Sequence, residues 1–147
     1  LELGTSLGLT SVYLARHTGM LSTVEGNPHI RALAQSHWAK LGATNIRSFS
    51  GEFDATWEAF ADRAYDLIFI DGNHRGEALI RYVEKSLLLL HPNGVIVCDD
   101  IHWSRDMEAA WEHLRSLPEW TLQMDAFEWG LLTRNQALKR EHVCIRF

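Results

Sequence analysis

The segment Tyr65-Asp66-Leu67-Ile68-Phe69-Ile70 is almost continuously apolar and β-prone, and it stops at Asp71. A strand of that composition has almost no polar face to turn toward water, which marks a parallel strand buried on both sides. Parallel strands need crossover connections, and the flanking chain supplies them. Residues 21–25, 45–50 and 95–98 read as further strands. Residues 10–18, 28–41 and 76–90 read as helices, as does a segment placing Met107, Ala110, Trp111, Leu114 and Leu117 on one side. In 28–41, Ile30, Leu33, Ala34, His37, Trp38 and Leu41 fall at helical spacing, with Pro28 near the start and Gly42 as the stop. A shorter helical stretch carries Trp57 and Phe60, and Pro92-Asn93-Gly94 is expected to break the helix before it. Two last strand candidates, 120–132 and 142–147, have no helix between them and predict an antiparallel addition at one edge. The pattern is α/β: a mostly parallel sheet with helices on both faces.

At 147 residues, 46% hydrophobic and 22% charged, the chain has the size of one domain with a sizeable core, read as a single domain over 1–147. A net charge of −5 with scattered Lys and Arg argues against a nucleic-acid surface and for a small-molecule partner; a homo-oligomer stays open. The longest apolar run, Leu87 to Leu90, is far short of a membrane span, and a cytoplasmic location is expected. Cys98 and Cys144 lie in apolar strand-like runs and are expected to be buried free thiols. The chain begins inside its first strand, so the expectation is a domain truncated at its N-terminus, with the preceding helices missing.

In open sheets of this kind, ligands bind outside the carboxyl ends of the strands. Here those ends read Glu2-Leu3-Gly4, Glu25-Gly26-Asn27, Gly51-Glu52-Phe53-Asp54, Asp71-Gly72-Asn73-His74 and Asp99-Asp100, each with an acid. The first runs into Gly4-Thr5-Ser6-Leu7-Gly8, whose small residues let the backbone approach a ligand ahead of a helix start. Glu25, 21 residues after Gly4, suits a carboxylate that accepts from a ribose diol. Ser6 and Leu9 stand where a dinucleotide fingerprint needs glycine, which disfavours a pyrophosphate and favours a ribose-bearing ligand without one. The same turn satisfies G-x-S-x-G, the nucleophile elbow of α/β-hydrolases, but that reading leaves Glu25 and Asp99-Asp100 without a role. Asp100 could instead belong to a helix N-cap, and His74 could simply bond its own loop. His102 and Trp103 could line a pocket or pack under the last helix, whereas Trp38, Trp57, Met107 and Trp111 read as core.

Taken in order, Glu2-Leu3-Gly4-Thr5-Ser6-Leu7-Gly8, Val24-Glu25, Phe69-Ile70-Asp71-Gly72-Asn73-His74 and Val97-Cys98-Asp99-Asp100 resemble a class I S-adenosylmethionine-dependent methyltransferase. Within that group they are similar to the catechol and caffeoyl-CoA O-methyltransferases and to bacterial sugar and natural-product relatives of the family 24 kind. The resemblance implies a Rossmann-like seven-stranded sheet, order 3-2-1-4-5-7-6, with the last strand antiparallel. It also implies a cofactor, S-adenosylmethionine, whose methionine part is cradled by Glu2, Gly4, Thr5, Ser6 and Gly8, with Thr10 reaching its carboxylate. Glu25 and Gly26 would take the ribose, Glu52, Phe53 and Asp54 the adenine, and Asp71 would also border the cofactor. Asp71, Asp99 and Asp100 match the ligands of a divalent cation such as Mg²⁺. His74, paired with Asp71 as the catalytic residues, stands where the catechol and caffeoyl-CoA types have a lysine base. The implied reaction is methyl transfer to a hydroxyl of a small molecule, with a cofactor-binding module lacking catalysis as the alternative.

Overall fold

The turn at Asn27 shows how local chemistry sets these elements. Its side chain accepts the N–H groups of His29 and Ile30 at 2.9 and 3.4 Å, while Pro28 occupies the first turn, where no N–H is needed. Fourteen residues later Gly42 ends that helix at φ 70°. The computed structural model describes residues 1–146, which fall into two compact units, Leu1–Arg63 and the chain from Ala64 onward. The predicted last strand, 142–147, therefore reaches Phe147, which lies outside the described residues.

The first unit runs β1 (Glu2–Leu3), α1 (Leu9–Arg16), β2 (Leu21–Glu25), α2 (Pro28–Leu41), β3 (Ile46–Ser50) and α3 (Phe53–Thr56), then a 3-10 turn over Trp57–Ala59. Its strands lie in the order β3-β2-β1, all parallel, with Glu2 beside Thr23 and Leu21 beside Ile46. Val12, Ala34 and Trp38 form the core between the two longer helices, with Ala43 and Ile46 packed on it. Asn45 donates to the carbonyls of Ala15 and Thr18 at 2.8 and 2.9 Å, closing the end of α1 against the start of β3.

The second unit runs β4 (Tyr65–Ile70), α4 (Gly76–Leu87), β5 (Leu90–Cys98), α5 (Arg105–Ser116), β6 (Leu122–Ala126), β7 (Trp129–Thr133) and β8 (Glu141–Cys144). Its order is β4-β5-β7-β6-β8, with β4 and β5 parallel and β7 antiparallel to both neighbours. The expected class and the strand order, 3-2-1 and then 4-5-7-6, hold within the units. Three details change. The candidate strand 120–132 is a hairpin, because Phe127 takes a left-handed φ of 68° and turns the chain, so the antiparallel strand is Trp129–Thr133. The last strand, β8, instead pairs parallel with β6 and is the eighth among the described residues. The helix expected over 76–90 ends at Leu87, and Leu90 already pairs with Tyr65; the register then slips before Leu67 meets Val95, leaving Pro92-Asn93-Gly94 in an irregular stretch of strand.

Burial follows the helical stripes: Ala78, Leu79, Tyr82 and Val83 of α4 and Met107, Ala110, Trp111 and Leu114 of α5 are buried, as expected for Met107 and Trp111, and as Trp38 and Trp57 are in the first unit. Cys98 is buried as expected; Cys144 is exposed, on the edge strand β8, three of whose four residues face water. The start of α4 has no side-chain cap of its own, and its Gly76 N–H donates to Asp106 of α5 at 2.6 Å. Replacing Asp106 with Ala should lower unfolding stability by about 1 kcal/mol in urea titrations, and Asp106→Asn, which keeps an acceptor oxygen, should lose less.

Candidate functional site

In the first unit the chain leaves β1 through a turn that is held on every side. The N–H groups of Gly4 and Thr5 both donate to Val24 O, at 3.1 and 3.2 Å, and Ser6 takes a left-handed φ of 49°. That conformation turns the Ser6 N–H onto Glu25 Oε2 at 2.9 Å, while Glu25 Oε1 accepts the Asn27 N–H at 2.9 Å. Gly8, at φ 74°, caps α1, and any Cβ there would collide with the Trp38 indole and stand 2.8 Å from the Ala34 Cβ. The Trp38 Nε1–H donates to Gly8 O at 2.9 Å, so the core side chain that forbids a larger residue also fixes the backbone it touches. His37, on the same helix, bonds Leu7 O through Nδ1 at 2.9 Å, a structural contact consistent with its place on the α2 stripe.

The predicted cradle residues separate by depth. Ser6, Thr10 and Gly26 are exposed, Gly4 and Glu25 half-buried, and Thr5 and Gly8 buried. Glu2 is withdrawn completely: at 0% exposure its Oε2 accepts the hydroxyls of Ser11 and Thr23, both at 2.5 Å, and Thr23 in turn shares a hydrogen bond with Thr5 at 2.6 Å. Its carboxyl thus joins β1, β2 and α1 beneath the turn, a role for Ser11 and Thr23 that periodicity does not announce. At the next strand end the Gly51 N–H donates to Glu25 O at 2.9 Å, and the Glu52 carboxyl lies 3.5 Å from where a Gly26 side chain would begin. Phe53 follows as a buried ring at the start of α3, with Asp54 exposed in its first turn. A half-buried carboxylate held by two backbone amides keeps lone pairs for a vicinal diol, and a tight turn before an uncapped helix start offers N–H groups to a carboxylate. These residues fit an amino-acid nucleoside.

In the second unit the acids at the ends of β4 and β5 gather. The carboxyls of Asp71 and Asp99 act on one another's charge, and the Asp99 N–H donates to Ile70 O at 2.9 Å. Burial, then the charge of Asp71, pushes Asp99 up to about 6. Burial also raises Asp71, with the charge of Asp100 adding to the rise and that of His74 opposing it. The His74 ring stands between two of these acids, with Nδ1 3.5 Å from Asp100 Oδ2 and Nε2 3.9 Å from Asp71 Oδ1. The helix cap that Asp100 could have supplied comes instead from Ser104, whose Oγ accepts the Met107 N–H at 3.2 Å. Asn73 and Asp100 are both left-handed, at φ 54° and 55°, a local cost that the surrounding structure must sustain. Among the described residues no three His, Cys, Asp or Glu side chains already converge on one cation position. The donor chemistry nonetheless fits a hard divalent ion: crowded carboxyls with raised proton affinity are what such an ion relieves. His102 bonds Asp125 and faces Glu108 at 3.4 Å, which places it in the packing around α5, while Trp103 is exposed.

Residues 1–101 match the model of a methyltransferase domain family. The chain belongs to that family. A protein of Mycobacterium sp. (strain JLS) named "Putative O-methyltransferase" is 32% identical over 101 residues, which is 65% of this chain and 45% of that protein. The chain thus spans less than half the length of that relative. The crystal structure of the O-methyltransferase TomG from Streptomyces achromogenes, in complex with S-adenosylmethionine, superposes with a TM-score of 0.75 at 21% identity, over 90% of this chain and 70% of that one. A Staphylococcus aureus structure titled "putative caffeoyl-CoA O-methyltransferase" gives 0.77 at 20% identity, over 90% and 74%. These likenesses establish the Rossmann-like methyltransferase fold and bear out the resemblance drawn from the strand ends. Membership of the methyltransferase family also removes the hydrolase reading of Ser6.

The raised Asp99 gives this family member a pH signature. A carboxyl with a folded pKa near 6 favours folding while it is protonated, and that contribution is present below about pH 4 and lost as pH rises through 6. Asp99→Asn, which mimics the protonated form, should therefore melt above the unsubstituted protein at pH 7–8 in EDTA, and the difference should vanish near pH 4.

Proposed function

We propose that the protein is an S-adenosylmethionine-dependent O-methyltransferase acting on a hydroxyl of a small molecule, assisted by a divalent cation. The observation that carries this reading is Glu25: its two oxygens are pinned by the N–H groups of Ser6 and Asn27, beside a glycine turn whose shape the Trp38 indole dictates. S-adenosylmethionine supplies, when bound, a sulfonium methyl that is already a good electrophile. The chain's own tasks are then to hold the donor, to align the acceptor and to remove one proton.

Glu25 would receive the ribose hydroxyls, Gly4, Ser6 and Gly8 would follow the methionine part, with Thr10 at its carboxylate, and Glu52, Phe53 and Asp54 would border the adenine. Alignment of two reactants is worth up to about 7–11 kcal/mol, more than the 10²–10⁴-fold a positioned base contributes, so binding residues carry most of the effect. Asp71, Asp99 and Asp100 would hold the cation, which when bound makes a nearby hydroxyl more acidic. His74 is the base: Asp100 faces its Nδ1, leaving Nε2, the nitrogen farther from a carboxylate, to take the acceptor's proton. A weak base suffices for a hydroxyl already made acidic.

Calorimetric titration with S-adenosylhomocysteine tests the donor site. Micromolar binding by the protein, weakened about 10–100-fold by Glu25→Ala, is the expected result; no binding at all would sink the proposal. The cation has a separate test: methyl transfer should be abolished by EDTA, restored by Mg²⁺ and strongly reduced in Asp100→Ala. Activity indifferent to both treatments leaves the donor site standing and removes the metal.

A further inference from the structure

The carboxyl of Asp125 is 2% exposed and receives four donors, two on each oxygen. Oδ1 accepts Arg146 Nη1 at 2.7 Å and the Phe127 N–H at 3.1 Å; Oδ2 accepts His102 Nε2 at 3.0 Å and the Trp111 Nε1–H at 3.3 Å. Burial pushes this group up, but the hydrogen bonds from Arg146, Phe127 and His102 outweigh it and hold the carboxyl well below its ordinary range. A pair made only to anchor the chain after β8 would need Arg146 and one oxygen. The second oxygen is given to His102, two residues beyond Asp100.

That placement matters because Asp99 to Ser104 contains no helix or strand and includes the left-handed Asp100. A strained residue keeps its conformation only where its neighbours are fixed. Ile101 is fixed through its N–H on Glu128 O at 3.2 Å, and His102 through Asp125, with Glu108 at 3.4 Å from its Nδ1. Asp125 serves both ties, since its other oxygen holds the Phe127 N–H and so shapes the turn that presents Glu128 O. We propose that Asp125 is a positioning residue for the acid-bearing end of β5, holding Asp99 to Ser104 in place through His102 and the β6–β7 turn. The functional consequence rests on the reading of Asp100 as a cation ligand; the structural consequence does not.

The test compares Asp125→Asn and His102→Ala with the unsubstituted protein; His102→Ala cuts the tie while leaving the Arg146 pair intact. Amide hydrogen exchange across 99–104 should accelerate about tenfold or more in both variants, while β4 amides keep their protection. Mn²⁺ should bind about 10–100-fold more weakly, with affinity for S-adenosylhomocysteine unchanged. Unchanged exchange over 99–104 in His102→Ala, or acceleration spread evenly over the whole chain, would overturn the proposal. If the unsubstituted protein takes up no Mn²⁺, the cation reading fails by itself, and the exchange result still decides the role of Asp125.

Discussion

Two parallel strands cannot be joined by a tight turn, so each must leave the sheet through a longer path that returns the chain to the same starting side. Within the first unit that requirement brings the ends of β1, β2 and β3 side by side, and the turns there must satisfy backbone groups the sheet no longer pairs. Glu25 does this for two turns at once, taking the Ser6 N–H from one and the Asn27 N–H from the other. The core reaches up to the same place: the Trp38 indole packs where a Gly8 side chain would be and bonds the Gly8 carbonyl. Packing and site geometry are one arrangement here, and neither could change without the other.

The second unit meets the same requirement with acids, and accepts instability in doing so. Asp71 and Asp99 end adjacent parallel strands and are partly withdrawn from water, which makes both harder to ionise. Left-handed Asn73 and Asp100 add local strain at the same spot. Solvated carboxylates on regular backbone would be more stable. A group of acids kept in this state is suited to binding positive charge or handling a proton.

Element boundaries were most legible where the signal is short in range. Pro28–Leu41 and Tyr65–Ile70 match their expected limits because a capping Asn, a terminal Gly and a run of β-branched and aromatic residues act over a few positions. The hairpin hidden in 120–132 was not legible, since its turn depends on Phe127, a residue with no turn preference, adopting φ 68° under the hold of Asp125 on its N–H. The exposure of Cys144 escaped for a similar reason: an apolar run reads as buried whether the strand is central or at an edge. Within the candidate site, Glu25 and the Asp71, Asp99 and Asp100 set were visible as acids at strand ends. Burial of Glu2 and the partnership of His102 with Asp125 were not.

The sequence by itself determined the alternation of strands and helices, the acids at the strand ends and the glycine turn that narrows the ligand, because each is written in neighbouring residues or a fixed period. Only the tertiary structure decided which of those acids face outward, which are sunk beneath the turn, and which distant side chains hold them. Those choices depend on strand register and on pairs such as His102 and Asp125, 23 positions apart. A hydrogen bond between such residues has no local signature; it exists only once packing has carried both groups to one place and removed the water that would otherwise satisfy them.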